Sequence, residues 1–190
     1  MRFLRFFATL FLLPGALLNA AETPVISLPG TDGAEHQPLK VAEGKKGVVL
    51  VFGSPFCNTS NTFLPELNAI AEAYEDRFAF YLVHSEKDLE LTQVMEHKEL
   101  LRVRPLALLD TQQLLAKHTG AKITPEAVLI SPAGETLYQG RINDLYLGPT
   151  KRQRKATTAD LRDALDAVAA GQPVKVPRTE AMGCKIAGLE

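Results

Sequence analysis

Residues 47–53, Gly47-Val-Val-Leu-Val-Phe-Gly53, form a short, unbroken apolar and β-branched run bounded by glycines, and Cys57 follows four residues later. A run without polar alternation has both faces covered, which makes it a buried central strand of a layered α/β sheet. Beyond the cysteine, Phe63, Leu67, Ile70, Ala71 and Tyr74 recur at helical spacing. An amphipathic helix over residues 59–74 is therefore expected to begin just after Cys57. Strand, turn, cysteine and helix in this order expose a thiol at the carboxyl edge of a sheet, where α/β folds place their sites.

The rest of the chain continues the alternation. Residues 77–85 read as a second strand, and residues 88–102 as a second helix with Leu91, Val94, Met95 and Leu101 available for the core. Residues 104–110 are expected as a short strand, 112–119 as a short helix and 126–131 as another apolar strand. Pro132-Ala-Gly-Glu135 then turns the chain into an antiparallel partner at 136–142. A last helix, capped by Thr157 or Thr158, carries Leu161, Ala164, Leu165, Val168 and Ala169 on one face and ends at Gly171.

At the other end, Arg2 and Arg5 precede the apolar run 6–18, and the small residue Ala20 closes it. This is the pattern of a secretory signal peptide, and the run is too short, with Pro14 and Gly15 inside it, for a bilayer span. The expected organisation is a signal peptide at 1–20, one domain at 21–171 and a C-terminal tail at 172–190 carrying Cys184. Signal cleavage would leave an exported protein without a membrane span, in the bacterial periplasm or outside the cell, where disulfides persist. The balance of 21 basic and 22 acidic side chains gives no reason to expect a nucleic-acid partner.

Chemistry concentrates at Cys57. Unpaired N–H groups and the dipole at a helix start favour the thiolate, the nucleophilic form. A buried, inert cysteine is the alternative. Cys184, 127 positions downstream, is the second cysteine of the chain. The two are read in three ways: a redox-cycling pair in which Cys184 resolves, a permanent bridge, or independent thiols. A flexible tail with Gly183 beside Cys184 has the reach and the close approach that the first two require.

Val49-Leu-Val-Phe-Gly-Ser-Pro-Phe-Cys57, then Pro65-Glu66-Leu67, then Thr124-Pro125 before an apolar strand, resemble the thioredoxin-like redoxin superfamily, which includes the alkyl hydroperoxide reductase/thiol-specific antioxidant type and exported thiol-disulfide oxidoreductases. The resemblance implies a three-layer α/β/α sandwich with a mixed central sheet. It also implies a proline inside the first helix, which Pro65 supplies and which should kink it. A cis proline beside the thiol falls on Pro125, and Thr124 before it becomes the residue that presents its backbone to a thiol substrate.

The departures from the family pattern matter equally. Dithiol members carry Cys-x-x-Cys, whereas this chain has Cys57-Asn58-Thr59-Ser60. Ser60 cannot resolve a mixed disulfide, but its hydroxyl is placed to donate to a Cys57 thiolate or to serve as a plain helix N-terminal serine. The peroxide-reducing branch needs a Thr or Ser three residues before its cysteine, which Ser54 supplies. It also needs an upstream proline, where Leu50 stands, and a later arginine, which Thr124-Pro125-Glu126 does not provide. Related copper-delivery proteins carry Cys-x-x-x-Cys, and Asn61 replaces the second cysteine. A copper set of Cys57, His84 and Cys184 is accordingly a minor reading. His36, His97 and His118 show no shared spacing, and the run Lys151-Arg-Gln-Arg-Lys155 reads as a solvated loop.

The sequence thus points to an exported thiol-disulfide oxidoreductase with Cys57 as nucleophile, Thr124 and Pro125 presenting the substrate, Ser60 beside the sulfur and Cys184 as candidate resolving thiol. A thiol peroxidase and a non-catalytic binding or assembly module, copper-handling or not, are the alternatives. Protein or small-molecule thiols and disulfides, together with a thiol reductant, are the implied partners. No organic cofactor or resident metal is implied.

Overall fold

The computed structural model describes residues 24–148 and 151–189. The expected signal segment at 1–20 lies outside the described residues. Along the chain come β1 (Leu28–Pro29), β2 (Glu35–His36), β3 (Gly47–Phe52), α1 (Asn58–Tyr74), β4 (Phe78–His84), α2 (Leu91–Leu100), β5 (Leu106–Leu109) and α3 (Leu114–Thr119). They are followed by β6 (Ile123–Thr124), β7 (Glu126–Ile130), β8 (Thr136–Gly140), β9 (Tyr146–Gly148), β10 (Lys151–Arg152), α4 (Asp160–Ala169) and β11 (Cys184–Lys185).

Five strands make one mixed sheet in the order β5-β4-β3-β7-β8. β3 runs parallel to β4, β4 parallel to β5, and β7 is antiparallel to both β3 and β8. The glycine-bounded run is the middle strand, buried at every position. Because successive strand side chains face opposite ways, Val49 and Val51 pack under α1 and α4 while Val48, Leu50 and Phe52 pack against α3 and the N-terminal segment. Phe63, Leu67, Ile70 and Tyr74 of α1 join Leu161 and Leu165 of α4 in the first cluster; Ile26, Leu28, Leu115 and Ala116 join the second. Burying each large apolar side chain contributes roughly 1.5–3 kcal/mol, which makes the two faces the main source of cohesion. The result is the expected three-layer α/β/α sandwich.

Several local expectations are corrected. α2 turns Val94 and His97 inward, whereas Met95 and Leu101 are exposed and Leu91 only half-buried. The helix is short and packs edgewise by β5, so only one narrow stripe meets the core. Its start is set by the Gln93 side chain, which accepts the Glu90 backbone N–H at 2.9 Å. Neither Thr157 nor Thr158 caps α4, whose N-cap is Ala159. Both threonines instead donate backbone N–H groups to the Asp144 carboxylate, at 2.6 and 3.0 Å, tying the loop before α4 to the loop after β8.

The segment after Gly171 is packed rather than loose. Pro177 accepts the Gln139 N–H at 2.9 Å, and the Thr179 N–H donates to the Gln139 carbonyl at 3.1 Å, so the tail extends the sheet along β8. Thr179 Oγ1 meets the Tyr138 hydroxyl at 2.7 Å and accepts the Arg141 N–H at 3.0 Å. Further on, β11 pairs antiparallel with β6, and Ile186 is buried in the second core cluster.

Candidate active site around Cys57 and Cys184

β3 delivers the chain to the sheet's carboxyl edge, and residues 53–56 turn it into α1. The turn is tightly bonded: the Ser54 N–H donates to Ser60 Oγ at 3.2 Å, the Phe56 N–H to Ser54 Oγ at 3.2 Å and the Asn61 side-chain amide to the Pro55 carbonyl at 3.0 Å. Cys57 is the N-cap of α1, with extended backbone, and its sulfur accepts the Ser60 N–H at 3.4 Å. A side chain in that position takes one of the orphan donors of the first turn and lies at the positive end of the helix dipole. Pro65 lies within α1, which runs on through it to Tyr74.

Cys57 is not exposed, as the sequence suggested, but only 1% accessible. It is joined to Cys184 in a disulfide whose Cα atoms are 6.0 Å apart. Cys184 is an exposed residue, so the bond joins a buried cysteine to one at the surface. The independent-thiol reading is therefore excluded, because no free cysteine remains.

Ser60 sits beside the sulfur in the first turn of α1, the place of a helix N-terminal serine, one of the two readings of it. Its backbone N–H, not its hydroxyl, bonds Cys57, and its Oγ is engaged by the Ser54 N–H. The Thr124–Pro125 peptide bond is cis, and the Thr124 carbonyl oxygen lies 3.1 Å from Cys57 Sγ. The Thr124 backbone also faces a partner strand, but that strand is the protein's own tail: Cys184 stands opposite Thr124 and Lys185 opposite Ile123. The Ile186 N–H donates to the Lys122 carbonyl at 2.9 Å, completing the ladder. Cys57, Ser60, Thr124, Pro125 and Cys184 thus converge on one spot.

Residues without a sequence signal hold this spot in place. One carboxylate oxygen of buried Glu126 accepts the Lys122 and Ile123 N–H groups at 2.8 and 3.1 Å, and the other accepts the Gln139 side-chain amide at 2.8 Å. Gln113 donates from one nitrogen to the Ser85 and Ala187 carbonyls, at 2.8 and 2.7 Å, anchoring the tail beyond Ile186. Phe56, next to Cys57, is 73% exposed beside a hollow lined by Glu86, Leu89 and Ala187. Burial pushes the Glu86 carboxyl above the ordinary range.

Behind the turn, His84 Nδ1 bonds the Gly53 carbonyl at 2.9 Å, and its ring meets His97 edge-on at 5.3 Å between centroids. Complete burial, with His97 adding to it, pushes the His84 imidazolium down to about 3. His84 is therefore neutral at physiological pH, and Nδ1 is the donor to Gly53. His97 Nε2 bonds Asn61 Oδ1 at 2.9 Å, so this pair braces the turn from behind. Among the described residues no group of three or more His, Cys, Asp or Glu side chains is placed to hold a metal ion, so Cys57, His84 and Cys184 do not form the copper set considered from sequence.

No family model matches the chain, and no curated protein matches it in sequence. Solved structures do. A hypothetical protein from Sinorhizobium meliloti is 25% identical over 85% of this chain and 89% of its own, with a TM-score of 0.74. An uncharacterized conserved protein from Geobacillus kaustophilus is 23% identical over 86% of this chain and 88% of its own, with a TM-score of 0.72. A secreted Mycobacterium tuberculosis disulfide oxidoreductase, described as homologous to E. coli DsbE, is 17% identical over 77% of this chain and 96% of its own, with a TM-score of 0.54. Together with the sheet order, these likenesses establish the thioredoxin fold.

Proposed function

We propose that this protein is an exported thiol-disulfide oxidoreductase in which Cys57 is the nucleophile and Cys184 the resolving thiol. The observation that carries the reading is the disulfide between a sulfur at the N-cap of α1 and a cysteine held opposite Thr124. The secreted disulfide oxidoreductase among the structural neighbours adds support, as does the signal-like segment at 1–20 for export to the periplasm or beyond.

In the reduced protein the Cys57 thiolate attacks one sulfur of a substrate disulfide. The substrate S–S bond breaks, its second sulfur leaves as a thiolate, and a mixed disulfide with Cys57 forms. The Cys184 thiolate then attacks Cys57 Sγ and expels the bound substrate sulfur, leaving the Cys57–Cys184 disulfide and a substrate reduced by two electrons. To regenerate the site, a reductant thiolate attacks the Cys184 sulfur and Cys57 departs as the thiolate that the Ser60 N–H stabilises; a second reductant thiolate then attacks the reductant sulfur now bound to Cys184, forming the reductant disulfide and releasing Cys184 as a thiolate. Rates of exchange rise as the leaving thiol becomes a better anion, which favours this direction of cleavage.

Trapping tests the reading. Cys184→Ser protein mixed with a disulfide-bearing substrate pool is expected to accumulate reductant-sensitive mixed disulfides on Cys57, and Cys57→Ser protein none. Failure of the wild-type disulfide to be reduced by any thiol under native conditions would make the bridge structural and overturn the proposal.

A further inference from the structure

We infer that the tail segment Gly183-Cys184-Lys185-Ile186 occupies the place of a peptide substrate, and that the site is built for extended chains carrying Gly-Cys-x-aliphatic. The inference rests on the redox reading above and names the substrate class for the same site.

Three features of the docked tail define the fit. Its backbone lies antiparallel to β6 with Cys184 directly opposite Thr124, the alignment that brings its sulfur to Cys57. Such main-chain pairing supplies affinity without selecting side chains; selection comes from the positions that meet walls or pockets. The residue before the cysteine meets a wall: a Cβ at Gly183 would be driven into the Thr124 carbonyl oxygen and would stand 2.8 Å from its carbon and 3.2 Å from Pro125 Cδ. The second residue after the cysteine meets a pocket. Ile186 is 4% exposed and packs with Ala116 and Ala121 in the core cluster under α3. Between them Lys185 is exposed, so that position is free.

The tail is held at this edge by few bonds. Besides the disulfide, its ties there are the two-residue pairing with β6, the Ile186 N–H to the Lys122 carbonyl, the Thr124 hydroxyl to the Cys184 carbonyl at 3.4 Å, the Gln113 amide to the Ala187 carbonyl and the burial of Ile186. Reduction removes the covalent one and leaves a two-residue strand that a second chain of the same pattern can replace. Once a substrate peptide has docked, its cysteine sulfur stands where the Cys184 sulfur stood, in line for Cys57. The returning tail then displaces it, because the two compete for one edge.

The test uses full-length Cys184→Ser protein and hexapeptides whose cysteine is capped as a mixed disulfide with thionitrobenzoate. The Cys57 thiolate attacks the peptide sulfur, the bond to thionitrobenzoate breaks, and the coloured aromatic thiolate leaves with the electron pair. Each rate is divided by that of the same peptide with glutathione, which removes intrinsic reactivity. A peptide containing Gly-Cys-Lys-Ile is expected to react at least about tenfold faster than Ala-Cys-Lys-Ile or Gly-Cys-Lys-Asp, the factor that a modest loss of docking energy produces. Equal normalised rates, with Cys57 still reactive toward the small symmetric aromatic disulfide, would overturn the docking inference and leave the redox reading standing. A folded protein whose Cys57 reacts with neither reagent, in both Cys184→Ser and Cys184→Ala forms, would overturn both.

Discussion

Gly183 lies against the Thr124 carbonyl so closely that the backbone of the tail and the backbone before Pro125 leave no room for a Cβ between them. A contact between two main chains cannot relax by a rotamer change. Gly183→Ala is therefore expected to destabilise the oxidised protein by about 1–3 kcal/mol, the usual cost of overpacking. Hydrogen exchange should report it: the Ile186 amide, protected by the Lys122 carbonyl, becomes fast in the variant. Unchanged protection would show that the close approach is not needed to dock the tail.

The Cys57–Cys184 bond closes a loop of 127 residues. In the chain-entropy model such a closure is worth up to about 5 kcal/mol, reduced by any residual structure in the unfolded chain. Urea unfolding should place wild type with reductant, Cys57→Ser and Cys184→Ser at similar midpoints, all below the oxidised protein. The double serine variant should add nothing to either single one.

Glu126 is buried and serves three donors at the turn into the site. Glu126→Ala leaves the Lys122 and Ile123 N–H groups without their acceptor and is expected to cost about 1–3 kcal/mol per orphaned donor at most. Glu126→Gln keeps an acceptor oxygen and should recover much of that loss. A Glu126→Ala protein as stable as wild type would remove the carboxylate from the framework of the site.

His84 gives the protein a pH dependence of known sign. The unfolded chain takes up a proton near pH 6.5, whereas the folded protein holds the buried ring neutral down to about 3. Between those values the unfolded state binds more protons, so stability falls as pH falls, by up to ~1.4 kcal/mol per pH unit. Denaturation midpoints at pH 7.5 and 5.5 should differ, and His84→Gln, which still offers Gly53 a donor, should flatten the slope. An equally steep slope in the variant would assign the effect to other groups, His97 first among them.

The core of the fold was legible because its signals are local and repeated. Six covered positions in β3 and the spacing of Phe63, Leu67, Ile70 and Tyr74 encode burial directly, and the next elements follow in the same alternation. Exposed Met95 and the uncapping threonines Thr157 and Thr158 were not legible. Helical period says which residues share a face but not whether a neighbour covers it, and a threonine finds a partner such as Asp144 only when another loop arrives.

The sequence by itself determined the layered α/β sandwich and the position of Cys57 at a helix start. Only the tertiary structure decided where Cys184 goes. β11 and β6 are two residues each, too short to carry a period, and they meet across 60 positions of chain through backbone groups that every residue possesses. Their pairing covers Cys57, brings Cys184 to it from the surface and fills the Thr124 edge from within, in the register in which Gly183 passes the carbonyl and Ile186 reaches the core.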